Sequence, residues 1–277
     1  MSDVVDELIE LRGLRFHYRD WPARHADAPD LVLLHGYTGH ARSWDFFAAQ
    51  MTDRYRVLAL DQRGHGETAW APADQYGVED MVQDLSAFVA AMQLQRFTLL
   101  GLSMGGMVAM HYAGARPAEL AALVIVDIGP ELVASGSARI QAGQADSDMF
   151  ESKAAAFAVA RAANSVPPLA VHRHRVDYSL MRLADGRWTY RYDRALRTPR
   201  TLRLRDADAG WKACANIIVP TQLIRGANSD ILSADSAVKM SKTIPNGVLA
   251  EVKDSGHSVP LDAPDGFLNA ARQFLCG

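Results

Sequence analysis

The chain has 277 residues, of which 49% are hydrophobic and 22% charged, and its 29 Lys+Arg against 32 Asp+Glu give a formal net charge of −3. This near-neutral balance is ordinary for a globular protein and argues against a nucleic-acid binder or a polybasic membrane binder. The length allows one large domain whose core needs neither disulfides nor a structural metal, and Cys214 and Cys276 form no metal-binding pattern.

The N-terminal residues carry acid, at Asp3, Asp6 and Glu7, where a secretory signal would carry Lys or Arg. The longest apolar runs, such as Leu120–Val126, have seven residues, far fewer than the ~20 needed to cross a bilayer. We therefore expect a cytoplasmic protein without a membrane span.

Short apolar runs rich in β-formers alternate with helix-length segments, a pattern typical of a mostly parallel sheet flanked by helices. A hairpin is predicted first, over Glu7–Tyr18 with Gly13 at its turn, on the sheet edge. The predicted strands are Leu31–His35, Arg56–Asp61, Phe97–Ser103, Leu120–Ile128, Thr221–Arg225 and Val248–Lys253. The predicted helices are Ser43–Met51, Val78–Met92, Met104–Ala115, Ala234–Thr243 and Asp265–Leu275.

The alternation stops after Pro130 and resumes only at Thr221. Residues 161–205 contain eleven Arg, three Asp and no Lys, and Asp185-Gly186 predicts a turn. We interpret residues 130–208 as a helical cap inserted after the sixth strand. Residues 1–129 and 209–277 would then form the core domain.

A Gly-x-Ser-x-Gly motif, Gly101-Leu102-Ser103-Met104-Gly105, lies where an apolar strand runs directly into a helix. A nucleophile elbow requires this context. The tight turn leaves little room two residues before and two residues after the serine, where glycine fits. The turn raises the hydroxyl above the sheet, beside N–H groups that favour developing negative charge. Ser103 is therefore the predicted nucleophile.

A serine hydroxyl is a weak nucleophile, so we expect a base and an acid that orients the base. His257 follows the last predicted strand on a short loop and is the favoured base. His35 and His65 fit structural hydrogen bonding, whereas His172 and His174 lie in the arginine-rich segment, where a solvated surface is expected.

Four motifs, in order, make the chain resemble the α/β-hydrolase fold superfamily along essentially its whole length. They are His35-Gly36-Tyr37-Thr38-Gly39, Asp61-Gln62-Arg63-Gly64-His65-Gly66, the elbow at Ser103, and Gly256-His257. The resemblance implies an α/β class fold with a mostly parallel eight-stranded sheet, flanking helices and a helical cap after strand six. It also implies an oxyanion hole formed by the backbone N–H groups of Tyr37 and Met104.

Two aspartates at strand ends lie between Ser103 and His257, and either can be the acid. Asp230 follows the predicted seventh strand, the usual place in this superfamily, but one residue later than usual because position 229 is serine. Asp127 ends the predicted sixth strand, from which some members take their acid. The sequence favours Asp127 slightly and leaves both open, the other being a hydrogen bonder that fixes a nearby loop.

A serine at position 103 indicates acyl transfer to water, because the haloalkane dehalogenases and epoxide hydrolases of this fold need a carboxylate there. We expect hydrolysis of a small to medium carboxylic ester, lactone or related acyl compound through an acyl-enzyme, with no metal and no organic cofactor. The alternatives are hydrolysis of a C–C, amide or enamide bond, perhydrolysis, and a ligand receptor on a hydrolase scaffold.

Substrate contacts are predicted at Trp44 and Met107, beside the oxyanion loop and the elbow, and at Trp188, which alternates with Tyr190 and Tyr192. The arginines can bind a substrate carboxylate, which the guanidinium fork matches, or else face solvent and pair with the chain's own acids. The expected partner is a small acyl molecule, carboxylated in the first case. The sequence does not specify an oligomeric state.

Overall fold

A central eight-stranded sheet organises the computed structural model, which describes residues 4–136, 138, 148–197 and 206–277. The strands are β1 (Val5–Leu11), β2 (Leu14–Trp21), β3 (Asp30–Leu34), β4 (Arg56–Leu60), β5 (Phe97–Leu102), β6 (Leu120–Val126), β7 (Leu180–Arg182), β8 (Trp188–Tyr190), β9 (Thr221–Gly226) and β10 (Gly247–Val252). The sheet order is β1-β2-β4-β3-β5-β6-β9-β10, and β7 pairs with β8 separately. Strand β2 is antiparallel to both neighbours and all other pairs in the central sheet are parallel, which confirms the predicted architecture.

The helices connect these strands and cover both faces of the sheet. They are α1 (Asp45–Met51), α2 (Val78–Ala91), α3 (Met104–Gly114), α4 (Lys153–Ala163), α5 (Leu169–Tyr178), α6 (Ala207–Asn216), α7 (Ala234–Thr243), α8 (Val259–Asp262) and α9 (Pro264–Leu275). The described residues also contain 3₁₀ helices at Ala41–Trp44 and Arg194–Arg197.

Successive side chains of the central strands point to opposite faces, so each strand contributes to two apolar layers. On β3, Val32 and Leu34 pack in one layer, whereas Leu31 and Leu33 pack in the other. Helices α2, α3 and α7 cover the first layer, and α1 and α9 cover the second. Burial on both faces explains why these strands are continuous apolar runs in the sequence.

The structure reproduces the predicted sheet strands and core helices with small shifts at their ends, and two local differences have a clear cause. The edge hairpin is longer than predicted, with Arg12 and Gly13 at its turn, both with positive φ (51° and 80°). The first two residues of the helix predicted over Ser43–Met51 belong instead to a 3₁₀ turn, Ala41–Trp44, which is held by a hydrogen bond from the Ala41 N–H to the buried carboxylate of Asp61 (2.6 Å).

Between β6 and β9 the chain leaves the sheet. Helices α4 and α5 and the β7–β8 pair enclose a separate apolar cluster of Phe150, Ala156, Phe157, Val176 and Leu180. The N–H of Gly186 donates to the carbonyl of Leu183 (3.0 Å), which confirms the predicted turn at Asp185-Gly186.

The two ends of this segment lie together, because a Cβ on Gly210 of α6 would lie 2.9 Å from Cβ of Pro130. Residues 137, 139–147 and 198–205 of the predicted cap lie outside the described residues, and they include Arg200, Arg203 and Arg205. Within the described ranges, no helix has the length and apolar character needed to span a membrane.

Candidate active site

Ser103 lies on the tight turn between β5 and α3. Its φ of 52° and ψ of −115° are strained for a residue with a side chain. A Cβ at Gly101 would lie 2.2 Å from the carbonyl oxygen of Gly105, and a Cβ at Gly105 would lie 2.5 Å from that of Leu34. Both positions therefore require glycine, for the reason inferred from the motif.

Ser103, His257 and Asp127 form a continuous hydrogen-bonded chain. Ser103 Oγ lies 2.9 Å from His257 Nε2, and His257 Nδ1 lies 2.8 Å from Asp127 Oδ2. A carboxylate only accepts hydrogen bonds, so Nδ1–H donates to Asp127 and Nε2 is left to accept the serine proton. This is the arrangement that a histidine needs in order to act as a base toward a serine.

Asp127 is fully buried and accepts hydrogen bonds from three donors. Besides His257, these are the Gly226 N–H (2.9 Å) and the Ser229 hydroxyl (2.5 Å). The serine at position 229 thus binds the aspartate of the neighbouring strand. Both ring nitrogens of His257 are engaged by Ser103 and Asp127, so the structure brings Asp127, and not Asp230, to the histidine.

The loop after β3 carries one of the two predicted oxyanion donors, Tyr37, and the other, Met104, begins α3. Among the described residues, neither backbone N–H donates to a protein acceptor. His35 supports this loop: it donates through Nδ1 to the Gly36 carbonyl (2.8 Å) and accepts at Nε2 from the Gln62 N–H (3.0 Å). Burial lowers the pKa of His35 to about 4, so it stays neutral and both bonds persist.

The second loop motif has a structural role centred on Asp61. Its buried carboxylate accepts from the N–H groups of Ala41 and Glu67 and lies 2.7 Å from Nδ1 of His17. Burial opposes ionisation and is the largest single effect, but the hydrogen bonds from His17 and the Glu67 N–H, together with the fields of His35 and His17, outweigh it and lower the pKa of Asp61 to about 2. Asp61 therefore links the edge hairpin to the loop that precedes α1.

A cavity of about 300 Å³ opens beside Ser103 at the carboxyl ends of the parallel strands. Binding sites of open parallel sheets lie at this edge. The lining consists of His35, Gly36, Tyr37, Thr38, Gly39, Ser43, Trp44, Phe46, Leu102, Ser103, Val171, His174, Arg175, Tyr192, His257, Ser258, Pro260 and Leu261. Its volume is at the small end of the range for ligand sites, ~300–1,000 Å³.

Of the three predicted substrate contacts, the structure places Trp44 on this cavity and the other two elsewhere. Met107 lies one helical turn beyond Ser103 and packs against the main apolar core. Trp188 belongs to β8, where it forms an isolated bridge with Phe150 and its ring lies 4.9 Å from Lys153 Nζ. The expectation is corrected for both, because helical period and hairpin packing turn them toward apolar clusters.

Three histidines near the cavity have more defined surroundings than the sequence indicates. His40 Nε2 lies 3.0 Å from the Arg175 carbonyl, which joins the loop after β3 to α5. His172 is buried against Phe157 rather than solvated, and His174 lies 2.9 Å from an Asp45 carboxylate oxygen. No periodicity in the sequence signals these contacts, since they arise where α5 packs against α4, the start of α1 and the loop after β3.

The described residues contain no cluster of three or more His, Cys, Asp or Glu side chains arranged to hold a metal ion.

The chain is similar in sequence to a known family and to named hydrolases. A family model described as the alpha/beta hydrolase fold matches residues 29–264. The chain is 27% identical to the 3-hydroxybutyrate-oligomer hydrolase of Cupriavidus necator, over 95% of this chain and 93% of that protein. It is also 27% identical to the esterase Rv0045c of Mycobacterium tuberculosis, over 90% of this chain and 83% of that protein.

Solved structures show the same fold. The crystal structure of E-2-(acetamidomethylene)succinate hydrolase superposes with a TM-score of 0.90 at 22% identity, over 99% of this chain and 100% of that one.

Proposed function

Because this chain belongs to the α/β-hydrolase family, we propose that it is a serine hydrolase that cleaves a small carboxylic ester, lactone or related acyl compound. The observation that carries the proposal is the hydrogen-bonded chain from Ser103 through His257 to Asp127. Its relatives include a hydrolase of hydroxybutyrate oligomers and an esterase, which supports the same class of reaction.

In the proposed reaction, Ser103 Oγ attacks the acyl carbon while its proton passes to Nε2 of His257. Asp127 holds the Nδ1–H and stabilises the imidazolium that forms. His257 then delivers the proton to the leaving oxygen, and the Ser103 acyl ester remains. A water molecule, deprotonated by His257, attacks this ester and releases the acid and the free serine.

The tetrahedral intermediates carry an oxyanion, which the N–H groups of Tyr37 and Met104 are proposed to bind. Loss of one such donor typically costs ~2.7–4 kcal/mol of transition-state stabilisation. The Ser103 N–H cannot contribute, since it donates to the Val126 carbonyl (2.9 Å).

The segment from 130 to 208 is proposed as a cap that sets substrate size. It contributes Val171, His174, Arg175 and Tyr192 to the cavity wall, and loops of the core contribute the rest. A cavity of about 300 Å³ favours a short acyl chain, because a long one would extend outside the wall.

The test is steady-state hydrolysis of p-nitrophenyl esters from acetate to decanoate by the wild type and by Ser103→Ala. We expect an optimum among the short chains and a loss of about 10⁴-fold or more in kcat for Ser103→Ala. Ser86→Ala is the matched control, because Ser86 lies on α2 and its hydroxyl only donates to the Val82 carbonyl. Equal turnover by Ser103→Ala and the wild type, or no turnover by either, would contradict the proposal.

A further inference from the structure

Among the described residues that line the cavity containing Ser103, Arg175 is the one permanent cation. It lies on α5, and its carbonyl accepts a hydrogen bond from His40 Nε2 (3.0 Å). His40 directly follows the loop that carries Tyr37. The Arg175 side chain therefore lies on a helix that is hydrogen-bonded to the end of this loop. Burial lowers the pKa of His40 to about 4, so it remains a neutral donor and this attachment persists at neutral pH.

The eight described arginines between positions 161 and 197 differ in whether the guanidinium has a partner within the protein. Seven have a partner within the protein: Arg161 with the Pro167 carbonyl, Arg173 with the Phe157 ring, Arg182 with the Gly186 carbonyl, Arg187 with Asp185, Arg191 with the Leu180 carbonyl, and Arg194 and Arg197 with Asp148. Within the described part of the chain, the guanidinium of Arg175 makes no hydrogen bond, ion pair or ring contact.

The surroundings of Arg175 leave its charge uncompensated. No Asp or Glu is among the described residues that line the cavity. The two groups whose fields reach Arg175 are Tyr190, a phenol that burial keeps neutral by raising its pKa, and Asp262. The two oxygens of Asp262 accept instead from the Asn164 side chain (2.8 Å) and the Gly256 N–H (2.9 Å). Burial lowers the pKa of Arg175, which is the signature of a cation that has lost water without gaining a full counter-ion.

A partly buried charge without a partner destabilises a protein unless a ligand compensates it. The guanidinium fork binds a carboxylate through two parallel hydrogen bonds, and such a pair is stronger in a cavity that excludes water. We propose that Arg175 binds a carboxylate of the substrate, so that the natural substrate is a small acyl compound with one free carboxylate besides its scissile acyl group. This inference rests on the hydrolase function proposed above and assigns its substrate class.

The test compares two pairs of small esters, each with an anionic and a neutral member. Monomethyl glutarate against dimethyl glutarate places the carboxylate on the acyl side, and methanol release is measured. Acetoxyacetate against methyl acetoxyacetate places it on the alcohol side, and acetate release is measured. We expect the wild type to prefer the anionic member of at least one pair by about 10-fold or more in kcat/KM.

The variants are Arg175→Met and Arg175→Lys, with Arg173→Met as the matched control on the exposed side of the same helix. Arg175→Met is expected to lower kcat/KM for the preferred anion by about 10- to 100-fold and to leave its neutral partner within about threefold. Arg175→Lys is expected to lie between, since it keeps the charge and loses the fork. The melting temperature of ligand-free Arg175→Met should equal or exceed that of the wild type, because an uncompensated charge is removed.

The outcomes separate the two proposals. Ser103-dependent turnover without an anionic preference in either pair overturns the role of Arg175 and leaves the hydrolase function intact. An equal loss for both members of a pair in folded Arg175→Met also overturns it. If the wild type hydrolyses no ester, the proposed hydrolase function is wrong. The carboxylate site is then tested separately, by calorimetric titration of Ser103→Ala with glutarate. Saturable binding that Arg175→Met abolishes supports the carboxylate site, and no binding overturns it.

Discussion

Moving the acid of the proposed catalytic chain from one strand end to the next tests how the site is assembled. Asp127 Oδ2 accepts from both His257 Nδ1 (2.8 Å) and Ser229 Oγ (2.5 Å), so position 229 lies two hydrogen bonds from the histidine. An aspartate at 229 extends one atom further than serine, into the space that Asp127→Ala vacates. The double variant Asp127→Ala/Ser229→Asp should therefore restore a carboxylate beside Nδ1.

The magnitude follows from the geometry. Asp127→Ala should lower kcat by about 10⁴-fold, as removal of a triad carboxylate does. A carboxylate displaced by ~1 Å typically leaves a deficit of about 10²-fold, so the double variant should recover about 100-fold, or ~2.7 kcal/mol. Ser229→Asp alone should be impaired, because two carboxylates would share one buried position.

The assay is kcat on the best p-nitrophenyl ester, with circular dichroism to verify folding. Asp230→Asn is the control, and we expect it to stay within about threefold of the wild type, since His257 has no free ring nitrogen for Asp230. A folded double variant no better than Asp127→Ala, together with a 10⁴-fold loss in Asp230→Asn, would refute this reasoning.

Three further predictions concern stability, each measured by urea unfolding with the wild type as reference. Gly101→Ala should lower the free energy of unfolding by about 3 kcal/mol or more, because its Cβ would lie 2.2 Å from a carbonyl oxygen. Gly13→Ala should lower it by about 1 kcal/mol, because Gly13 has a positive φ but no atom within 4 Å of the added Cβ. Equal losses in the two variants would contradict the role of the close contact at Gly101. Because the folded pKa of His35 is about 4, below its ordinary 6.5, the unfolded chain binds more protons between these values. This difference in proton binding by His35 should therefore lower the free energy of unfolding by up to about 3 kcal/mol as pH falls from 6.5 to 4. A free energy of unfolding that does not change over this range would contradict the burial of His35 as a neutral ring. Arg63→Met should lower the free energy of unfolding by about 1.5–3 kcal/mol, because it removes two hydrogen bonds from the buried Asp84 carboxylate and leaves that group paired with Arg12 alone; an unchanged free energy would show that solvent reaches the Arg63–Asp84 pair.

The elbow and the parallel sheet are predictable from the sequence because their causes are local. The strand that precedes Ser103 is buried on both faces and is therefore a continuous apolar run. Gly101 and Gly105 are fixed by contacts within one turn of the chain or with the adjacent strand. These constraints leave a pattern that a short window of sequence contains.

Which carboxylate meets His257 is less predictable, because this depends on the paths of two loops. Strands β6 and β9 are neighbours in the sheet, so Asp127 and residues 229 and 230 all lie at adjacent strand ends. The sequence shows two candidates at suitable positions. The choice follows from the turn at 226–229, where the Ser229 N–H donates to the Gly226 carbonyl and the hydroxyl faces Asp127.

The cavity wall is the least predictable part. Arg175 and Tyr192 reach the site because α5 and the segment after β8 pack over distant loops, and the arginine-rich composition gives no indication of which guanidinium lacks a partner. Trp188 alternates with Tyr190, as residues of a strand that lines a cavity would. Both side chains instead pack against the apolar cluster of the inserted segment.

The most direct test of the central claim is covalent trapping of Ser103 by a fluorophosphonate probe, read by mass spectrometry. The serine oxygen displaces fluoride and forms a stable Ser–O–P bond at an activated nucleophile. We expect one adduct, on the peptide that contains Ser103, and we expect it to be absent in Ser103→Ala and to form much more slowly in His257→Ala. Labelling at another residue, or hydrolysis that continues after Ser103 is fully labelled, would contradict it.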